Sequence, residues 1–376
     1  MKRLIHLWVV ATFASLLMLV SCQPNSKEAA VSGQNELTHS QLLSMRKYGN
    51  GTMVEIANPW DSTKLMASYL LVPTDETIPQ DIDSEVTVIR TPVTSLVAYT
   101  SVYAGAIKEL GSIDVVTGVT DAQFYKIPEI VEGLKSGKII DAGKSDSPIA
   151  ERIIELSPNA ILLTIYQGME MNTVQRLGIP ILKFVDNMEN TPLGRAEWIK
   201  LMGELTGTRQ TADSIFNQVK ASYQSLRDSA LSVSKRPKVM VENMYQGVWY
   251  VSGGNSYQAR MIADAGGDYA WKDDTSTGSL FLSFEQVLDK AEDSDIWLLK
   301  VFGTDLTAKG LTDMDSRNRL FKPFSTGGVY YSNTAVSNLF EEFPFHPELM
   351  LRDYICIFHP TLLSDNNLRY FNQMKP

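Results

Sequence analysis

The chain has 376 residues and a formal net charge of −9, and its composition of 44% hydrophobic and 20% charged residues is that of a globular protein. This length favours two domains or lobes over a single hydrophobic core. The acidic balance disfavours nucleic acid as a partner.

The first 21 residues have the pattern of a secretory signal peptide. Lys2 and Arg3 precede an apolar run from Leu4 to Val20, which ends in the tetrapeptide LVSC. The tetrapeptide resembles a bacterial lipobox, which implies cleavage before Cys22 and lipidation of its thiol. The mature chain would then carry 32 basic and 43 acidic side chains, a net charge of −11. Only Cys356 would remain unmodified, so the fold must be stable without an internal disulfide.

Residues 22–35 are predicted to form a polar tether, because Gln23 to Gln34 are rich in Ser, Asn, Gly, Lys and Glu. No later stretch reaches the roughly 18 uninterrupted apolar residues of a membrane-spanning helix. We therefore expect an extracytoplasmic protein that a lipid alone holds to a bacterial membrane, either on the periplasmic side or at the cell surface.

The next 155 or so residues are predicted to form an extension and an α/β lobe. Residues 36–84 contain two strand-like runs, GTMVEIANP and KLMASYLLVP, each stopped by proline, and are interpreted as a hairpin-like extension. Strands alternate with helices in residues 85–190, which indicates a mostly parallel sheet. The predicted strands are VTVIR, VVTGVTD, KIIDAG, AILLTIY and IPILKFV. The predicted helices are Leu96–Leu110, IPEIVEGLKSG, Ile149–Leu156 and Val174–Leu177.

Residues 191–235 are predicted to be helical and to link this lobe to a second one. Apolar side chains recur at spacings of three and four between Thr208 and Ser232, which predicts one long amphipathic helix over 208–232. The alternation of strands and helices resumes in residues 236–376. The sequence therefore predicts an α/β fold of two Rossmann-like lobes with mostly parallel sheets, joined by one long backbone helix.

Several segments resemble the helical-backbone substrate-binding lipoproteins of bacterial ABC importers, the class that handles ferric siderophores, haem and cobalamin. The resemblance covers roughly residues 85–365. It is carried by ELGSIDVVTGVTD, PEIVEGLKSGKIIDAG, TPLGRAEWIKLMGELTG, VWYVSGGNSY, LSFEQVLDKAEDSDIWLL and FHPELMLRDYICIFHP. It implies a monomeric receptor without a cofactor that delivers a metal chelate to an importer made of a permease dimer and an ATPase.

Ligand-binding candidates are the residues that follow predicted strands and would face the cleft between the lobes. On the first lobe they are Thr91 (with Thr94 and Ser95), Asp121, Tyr125, Tyr166, Gln167 and Asp186. On the second lobe they are Met244, Tyr245, Trp249, Tyr250, Trp271, Lys300, Phe302, Tyr330 and Tyr331. If the run containing Trp249 and Tyr250 is a strand, only one of the two side chains can face the cleft.

The many aromatic candidates favour a corrinoid or haem-like ligand, since flat conjugated molecules pack well on Trp and Tyr. A ferric siderophore would be expected to need more cations than Lys300 and Lys183 supply. The resemblance also implies one acidic residue on each lobe for docking to the importer. Glu285 is the candidate on the second lobe and Glu170 on the first, where the segment departs from the family pattern.

Motifs of common enzymes are incomplete in this sequence. The Gly143-Lys144-Ser145 segment lacks the glycine at position 138 that a phosphate-binding loop requires, and neither His346 nor His359 lies in an HExxH motif. We therefore expect no catalytic residues and no bound metal ion. Two alternatives stay open, a lipid-anchored α/β enzyme with a periplasmic substrate and a surface-binding lipoprotein without an importer.

Overall fold

The computed structural model describes residues 33–303 and 305–375. The predicted signal peptide, the lipidation site at Cys22 and most of the tether lie outside these residues. Within the described ranges, no helix is both long and apolar enough to cross a membrane. Cys356 is buried and has no disulfide partner there.

An N-terminal sheet of four strands precedes the first lobe. Its strands are β1 (Leu43–Tyr48), β2 (Gly51–Ala57), β3 (Leu65–Pro73) and β4 (Thr87–Thr91). The first three are antiparallel, whereas β4 pairs in parallel with β3. Our prediction that VTVIR begins the first lobe is therefore wrong. The extension is a complete sheet that buries one face against the body of the protein, and β4 is its last strand.

The first lobe is built on a five-stranded parallel sheet in the order β11-β10-β5-β6-β7. Its strands are β5 (Leu96–Ala98), β6 (Val116–Val119), β7 (Ile140–Asp141), β10 (Ala160–Thr164) and β11 (Ile181–Phe184), and β8 (Gly143–Lys144) with β9 (Ser147–Pro148) forms a small hairpin. Its helices are α1 (Ser101–Glu109), α2 (Pro128–Ser136), α3 (Ala150–Leu156) and α4 (Asn172–Gln175).

The segment predicted as one helix over Leu96–Leu110 is in fact a strand followed by a helix. Residues 96–98 are fully buried in the centre of the sheet, where a short apolar run forms a strand with both faces covered. The helix α1 begins at Ser101, because the Thr100 side chain accepts a hydrogen bond from the Val102 N–H and caps it.

The linking segment contains α5 (Pro192–Ala196), α6 (Ile199–Thr206) and the long helix α7 (Arg209–Leu231). The long backbone helix is confirmed. Its buried side chains, Ala212, Phe216, Val219, Tyr223 and Ala230, follow the predicted apolar stripe. α7 packs against α6, which itself contacts α1 of the first lobe, and against α13, the last helix of the second lobe.

The second lobe has a five-stranded sheet in the order β15-β12-β17-β18-β19, in which only β19 is antiparallel. Its strands are β12 (Lys238–Val241), β15 (Asp268–Tyr269), β17 (Ile296–Val301), β18 (Val329–Asn333) and β19 (Asn372–Gln373). A separate antiparallel sheet consists of β13 (Met244–Tyr245), β14 (Val248–Ser252) and β16 (Ser279–Leu282). The helices are α8 (Tyr257–Asp264), α9 (Phe284–Ala291), α10 (Ala308–Met314), α11 (Lys322–Thr326), α12 (Leu339–Glu342) and α13 (Pro347–Phe358).

The two main sheets share a parallel, doubly wound plan but differ in strand order. In the first lobe the order reverses between β5 and β10, and in the second lobe between β12 and β17. Ligands of such sheets bind outside the carboxyl ends of the strands at these reversal points. The fold is thus a mixed α/β fold of two lobes, and each lobe has one place where a ligand is expected.

Two buried glutamates fix the first described residues to the linking segment. The carboxylate of Glu197 accepts backbone N–H bonds from Thr38, His39 and Ser40 at 2.7–3.2 Å. Glu189 accepts N–H bonds from Gln41 (3.0 Å) and Leu42 (3.1 Å). These bonds fix residues 38–42 to the linking segment.

Candidate functional site

A cavity of about 440 Å³ lies between the two lobes and is named here the central cavity. Every wall segment follows the carboxyl end of a parallel strand or begins the next helix. The strands are β5 and β6 in the first lobe and β17 and β18 in the second, so one strand of each reversal point borders the cavity. The first lobe contributes Tyr99, Thr100, Ser101, Val102, Thr120, Asp121, Gln123, Phe124, Tyr125 and Lys126, and the second contributes Phe302, Thr334, Ala335 and Phe340.

Aromatic rings from both lobes meet at this cavity. Phe124 and Phe302 are 51% and 66% exposed, yet their rings are in edge-to-face contact with centroids 5.7 Å apart. Tyr99, Tyr125 and Phe340 add three more rings to the wall. Tyr99 and Tyr125 are largely buried, so the exposed rings of Phe124, Phe302 and Phe340 provide most of the contact area for a flat, apolar ligand.

Tyr99 presents a hydroxyl group that no described residue satisfies. The residue is 6% exposed, and its Oη atom is buried without a hydrogen-bond partner in the described part of the chain. Burial raises the pKa of Tyr99 to about 12, so the phenol is neutral at physiological pH. By contrast, the Tyr125 hydroxyl donates to the Ala98 carbonyl at 2.9 Å.

Lys126 crosses from the first lobe to the second. Its Nζ donates to the Thr334 carbonyl at 2.8 Å and lies 3.5 Å from the Glu341 carboxylate. Lys126 lines the central cavity and also a neighbouring cavity of about 340 Å³ between α1 and α12. It is therefore both a contact between the lobes and a cationic group at the candidate site.

A charged histidine makes a second contact between the lobes. His346 contacts Glu109 of α1 through Nε2 (2.6 Å) and Glu348 through Nδ1 (2.8 Å). Burial by itself lowers the pKa of His346, but the two carboxylates outweigh it and raise the pKa to about 10. The imidazolium ion pair thus joins the lobes throughout the physiological range.

Two of the first-lobe candidates, Asp121 and Tyr125, line the central cavity. Asp121 adopts a left-handed conformation (φ 50°) and accepts the Ser145 N–H at 3.2 Å. Tyr166 and Gln167 follow β10 and are exposed, but neither lines this cavity. Their role stays a prediction.

Other first-lobe candidates have structural roles. Thr91 is buried at the end of β4, in the N-terminal sheet, and its carbonyl accepts the Thr74 N–H at 2.9 Å. It is not among the cavity-lining residues, because β4, of which it is the last residue, belongs to the N-terminal sheet. Asp186 is buried in an ion pair with Arg195 (2.9 Å) and accepts a hydrogen bond from Tyr103 (3.2 Å).

Trp249 and Tyr250 occupy opposite faces of β14, as strand alternation requires. Trp249 is completely buried, donates to the Val241 carbonyl at 3.0 Å and packs on Trp297, so it is part of the core. Tyr250 lies on the outer face and contacts Phe281, with ring centroids 5.4 Å apart. Neither residue lines the central cavity.

The remaining second-lobe candidates also lie outside the central cavity. Lys300 pairs with Glu242 and lines a separate cavity of about 80 Å³ inside the lobe. Trp271 is buried beside Tyr269. Met244 and Tyr330 are partly buried, Tyr331 is buried and Tyr245 is exposed on β13. Of the second-lobe residues considered, only Phe302 reaches the cavity.

The two candidate docking glutamates are both on the surface. Glu285 lies in the first turn of α9, its side chain is 74% exposed, and it pairs with Arg317 at 2.9 Å. Glu170 is exposed in the connection between β10 and α4. Both positions are accessible to a partner, and the docking role stays a prediction.

Sequence reasoning missed Tyr99, Lys126, Thr334 and Phe340. Tyr99 directly follows β5, but the sequence pattern predicts a helix over residues 96–110, so no strand end was expected before Tyr99. Thr334 follows β18 in the same way, so a correct strand boundary would have identified it. Phe340 lies in α12, a short helix without a recognisable apolar period.

Two parallel-sheet lobes with a cavity at the carboxyl ends of both sheets are the architecture of a substrate-binding protein. A family model described as periplasmic binding protein matches residues 96–313. The chain belongs to this periplasmic binding protein family. The family and the fold are those of substrate-binding proteins and not of enzymes.

Similar proteins extend this picture. An uncharacterized lipoprotein of Methanocaldococcus jannaschii is 28% identical over 342 residues, which cover 80% of each chain. The structure of a periplasmic haem-binding protein from Pseudomonas aeruginosa has a TM-score of 0.58 at 15% identity and covers 76% of this chain and 99% of that one. The structure of the periplasmic haem-binding protein RhuT from Roseiflexus sp. RS-1 has a TM-score of 0.55 at 20% identity. The match covers 72% of this chain and 99% of that one. These structural similarities show the fold.

Proposed function

We propose that this protein is an extracytoplasmic solute-binding lipoprotein that captures a metal chelate in the central cavity and delivers it to an ABC importer. The observation that carries the proposal is the aromatic cavity between the lobes. Its volume of about 440 Å³ falls within the range of roughly 300–1,000 Å³ that is usual for small-molecule sites.

A chelate explains the composition of the wall better than a bare metal ion does. Among the described residues, no group of three or more His, Cys, Asp or Glu side chains is arranged to hold a metal ion. Five aromatic rings instead line the cavity. The names of structurally similar proteins refer to haem and to Fe³⁺-hydroxamate transport, which supports a ligand in which an organic molecule encloses the metal.

The ligand is tested with purified protein that lacks residues 1–22. Haemin, cobalamin and a ferric hydroxamate are titrated separately, and binding is followed by absorbance and calorimetry. We expect saturable binding of at least one chelate. The Phe302→Ala variant should bind it about ten-fold more weakly, because truncation of a central aromatic contact often costs more than about 1 kcal/mol.

Phe281→Ala is the matched control, because Phe281 is 72% exposed on the outer face of β16 and lies outside the cavity. Equal losses in both variants would contradict the assignment of the site. Absence of binding for all three chelates would contradict the chelate hypothesis.

Delivery to an importer is tested in a strain that depends on the protein for uptake. Glu285→Ala and Glu170→Ala should reduce uptake while leaving chelate affinity unchanged. Glu155→Ala is the control, because Glu155 is an exposed acid near the end of α3, at the amino-end edge of the sheet. Normal uptake with the first two variants would refute a docking role for these glutamates, whereas binding of the chelate without any uptake that depends on the protein would favour a surface receptor without an importer.

The lipid anchor is supported by the lipobox-like sequence at Cys22 and by the lipoprotein name of the archaeal relative. Cys22→Ser should move the protein from the membrane fraction to the soluble fraction. An unchanged distribution would refute anchoring through this thiol.

A further inference from the structure

The cavity of about 80 Å³ inside the second lobe, named here the inner cavity, lies at the reversal point of the sheet. Its wall includes Glu242, which directly follows β12, and Leu298, Leu299 and Lys300 of β17. The strand order reverses between β12 and β17, and doubly wound sheets bind ligands at such points. The inner cavity therefore occupies a place where the fold itself predicts a ligand group.

The inner cavity and the central cavity meet at one aromatic ring. Phe340 of α12 is exposed and lines both cavities. A ligand in the central cavity thus lies next to the inner one. The inner cavity has room for roughly two or three groups of the size of water, each of about 30 Å³. It can hold a short substituent of the ligand but not the whole ligand.

An ion pair provides the charged groups in the wall of the inner cavity. Lys300 and Glu242 are the only cationic and the only acidic side chain among the described residues that line it. The Lys300 Nζ donates to Glu242 Oε1, and the two side chains are 35% and 18% exposed. Lys300 has two more donors, and Glu242 Oε2 accepts no hydrogen bond from a described residue. The pair can therefore both donate to a ligand and accept from it.

The backbone around Glu242 fixes the position of its carboxylate. Glu242 has a φ of 61°, in the left-handed region that residues with a side chain rarely adopt. Its N–H donates to the Leu298 carbonyl at 2.8 Å, and its carbonyl accepts the Trp297 indole N–H at 2.7 Å. Non-glycine residues in this conformation are concentrated at functional sites. The strand β17 thus holds an acid at the cavity in a conformation typical of such sites.

We propose that the inner cavity is a subsite for an uncharged substituent of the ligand that both donates and accepts hydrogen bonds, such as a primary carboxamide. The carbonyl oxygen of the amide accepts from Lys300, and its NH₂ group donates to Glu242. Glu242 repels a carboxylate and Lys300 repels an ammonium group, so a charged substituent would lose its hydration without a net electrostatic gain. This inference rests on the proposed function and narrows the ligand to chelates with uncharged amide side arms.

The experiment uses the protein that lacks residues 1–22, with ¹³C-labelled methionine methyl groups. Met261 and Met350 line the inner cavity, and Met261→Leu and Met350→Leu assign their NMR signals. Acetamide, acetate and acetamidinium, which are similar in shape but differ in charge, are titrated separately at constant ionic strength. We expect saturable shifts of both signals with acetamide, and binding of the two ions that is weaker by about ten-fold or more.

Charge substitutions should change which of the three compounds binds best. Glu242→Gln leaves the charge of Lys300 unbalanced and should favour acetate, whereas Lys300→Met should favour acetamidinium, each by about ten-fold. An ion pair that only stabilises the fold would not produce this exchange of specificity. Lys309→Met is the matched control, because Lys309 forms an exposed pair with Asp313 in α10, outside the inner cavity.

The titrations of the wild-type protein decide the inference even if a variant does not fold. Absence of saturable shifts of the methionine signals with acetamide overturns it, as does equal binding of all three compounds. An unchanged order of affinities in folded Glu242→Gln also overturns it. A chelate that binds while acetamide does not would leave the proposed function intact. Acetamide binding without binding of any chelate would support the subsite and count against the chelate function.

Discussion

The contact between α1 and α12 provides a test of how closely the two lobes pack against each other. Gly105 lies in α1, and a Cβ atom added there would come within 2.2 Å of the Glu341 carbonyl oxygen in α12. Ordinary contacts of a Cβ atom begin near 3.4 Å. Gly105→Ala therefore requires the two helices to separate by about 1.2 Å, which displaces one lobe against the other.

Two opposing contributions determine how much Gly105→Ala changes the free energy of unfolding. Replacing a helical glycine by alanine favours the helix by about 1 kcal/mol. Overpacking a close contact costs about 1–3 kcal/mol. Gly310→Ala in α10 should show only the gain in helix stability. A Cβ atom added at Gly310 would lie 3.4 Å from its nearest neighbour, the Thr307 Oγ1. Gly105→Ala should thus be less stable than Gly310→Ala by about 1–3 kcal/mol.

Urea unfolding measures this difference, and small-angle scattering measures the separation of the lobes. We expect a larger radius of gyration and weaker chelate binding for Gly105→Ala, and wild-type values for Gly310→Ala. If both variants have the same stability and the same scattering profile, the lobes are not in close contact at this point and the reasoning is refuted.

Three further predictions concern buried groups. Burial by itself raises the pKa of Glu197, but the backbone N–H bonds from Ser40 and His39 and the charge and hydrogen bond of Lys200 outweigh it and lower the pKa. Glu197→Gln should therefore cost about 1.5–3 kcal/mol at pH 7, and this difference in urea unfolding should vanish as the pH falls through the lowered pKa. The pKa of His346 is raised, so the stabilisation by its charged ring is complete below about pH 6.5 and is lost as the pH approaches 10. The difference in the free energy of unfolding between wild type and His346→Gln should therefore shrink over that range. A constant difference would disprove the ion pair. Trp249→Ala should lower the free energy of unfolding by about 3–5 kcal/mol. Tyr250→Ala, at the exposed neighbouring position, should change it by no more than about 0.5 kcal/mol. Similar losses of stability in the two variants would contradict the placement of these side chains on opposite faces.

The sequence predicts best where a long periodic pattern coincides with burial. The apolar stripe of α7 repeats over six turns, so both its type and its position could be derived. The run Leu96–Ala98 is too short to show a periodic pattern, so the sequence alone does not separate it from the helix that follows. The strand Thr87–Thr91 looks like any other buried strand, and only its pairing with β3 assigns it to the N-terminal sheet.

The site was predicted in part for the same reason. Asp121, Tyr125 and Phe302 follow strands that were recognised, and the structure brings them to one cavity. Trp249 was a candidate because it was expected in a segment that follows a predicted strand and faces the cleft, but it lies within β14 and its side chain faces the core. The unsatisfied hydroxyl of Tyr99 and the bond from Lys126 to Thr334 depend on distances between lobes, which no local pattern encodes.

The bonds of Glu189 and Glu197 to residues 38–42 also limit how far the protein can move if Cys22 is lipidated. Fifteen residues lie between Cys22 and Thr38, and a chain of that length spans at most about 55 Å. The receptor would then be confined to a thin layer above the membrane, which raises its local concentration around an importer in the same membrane. Lengthening the tether should dilute the receptor and slow uptake at unchanged affinity for the chelate.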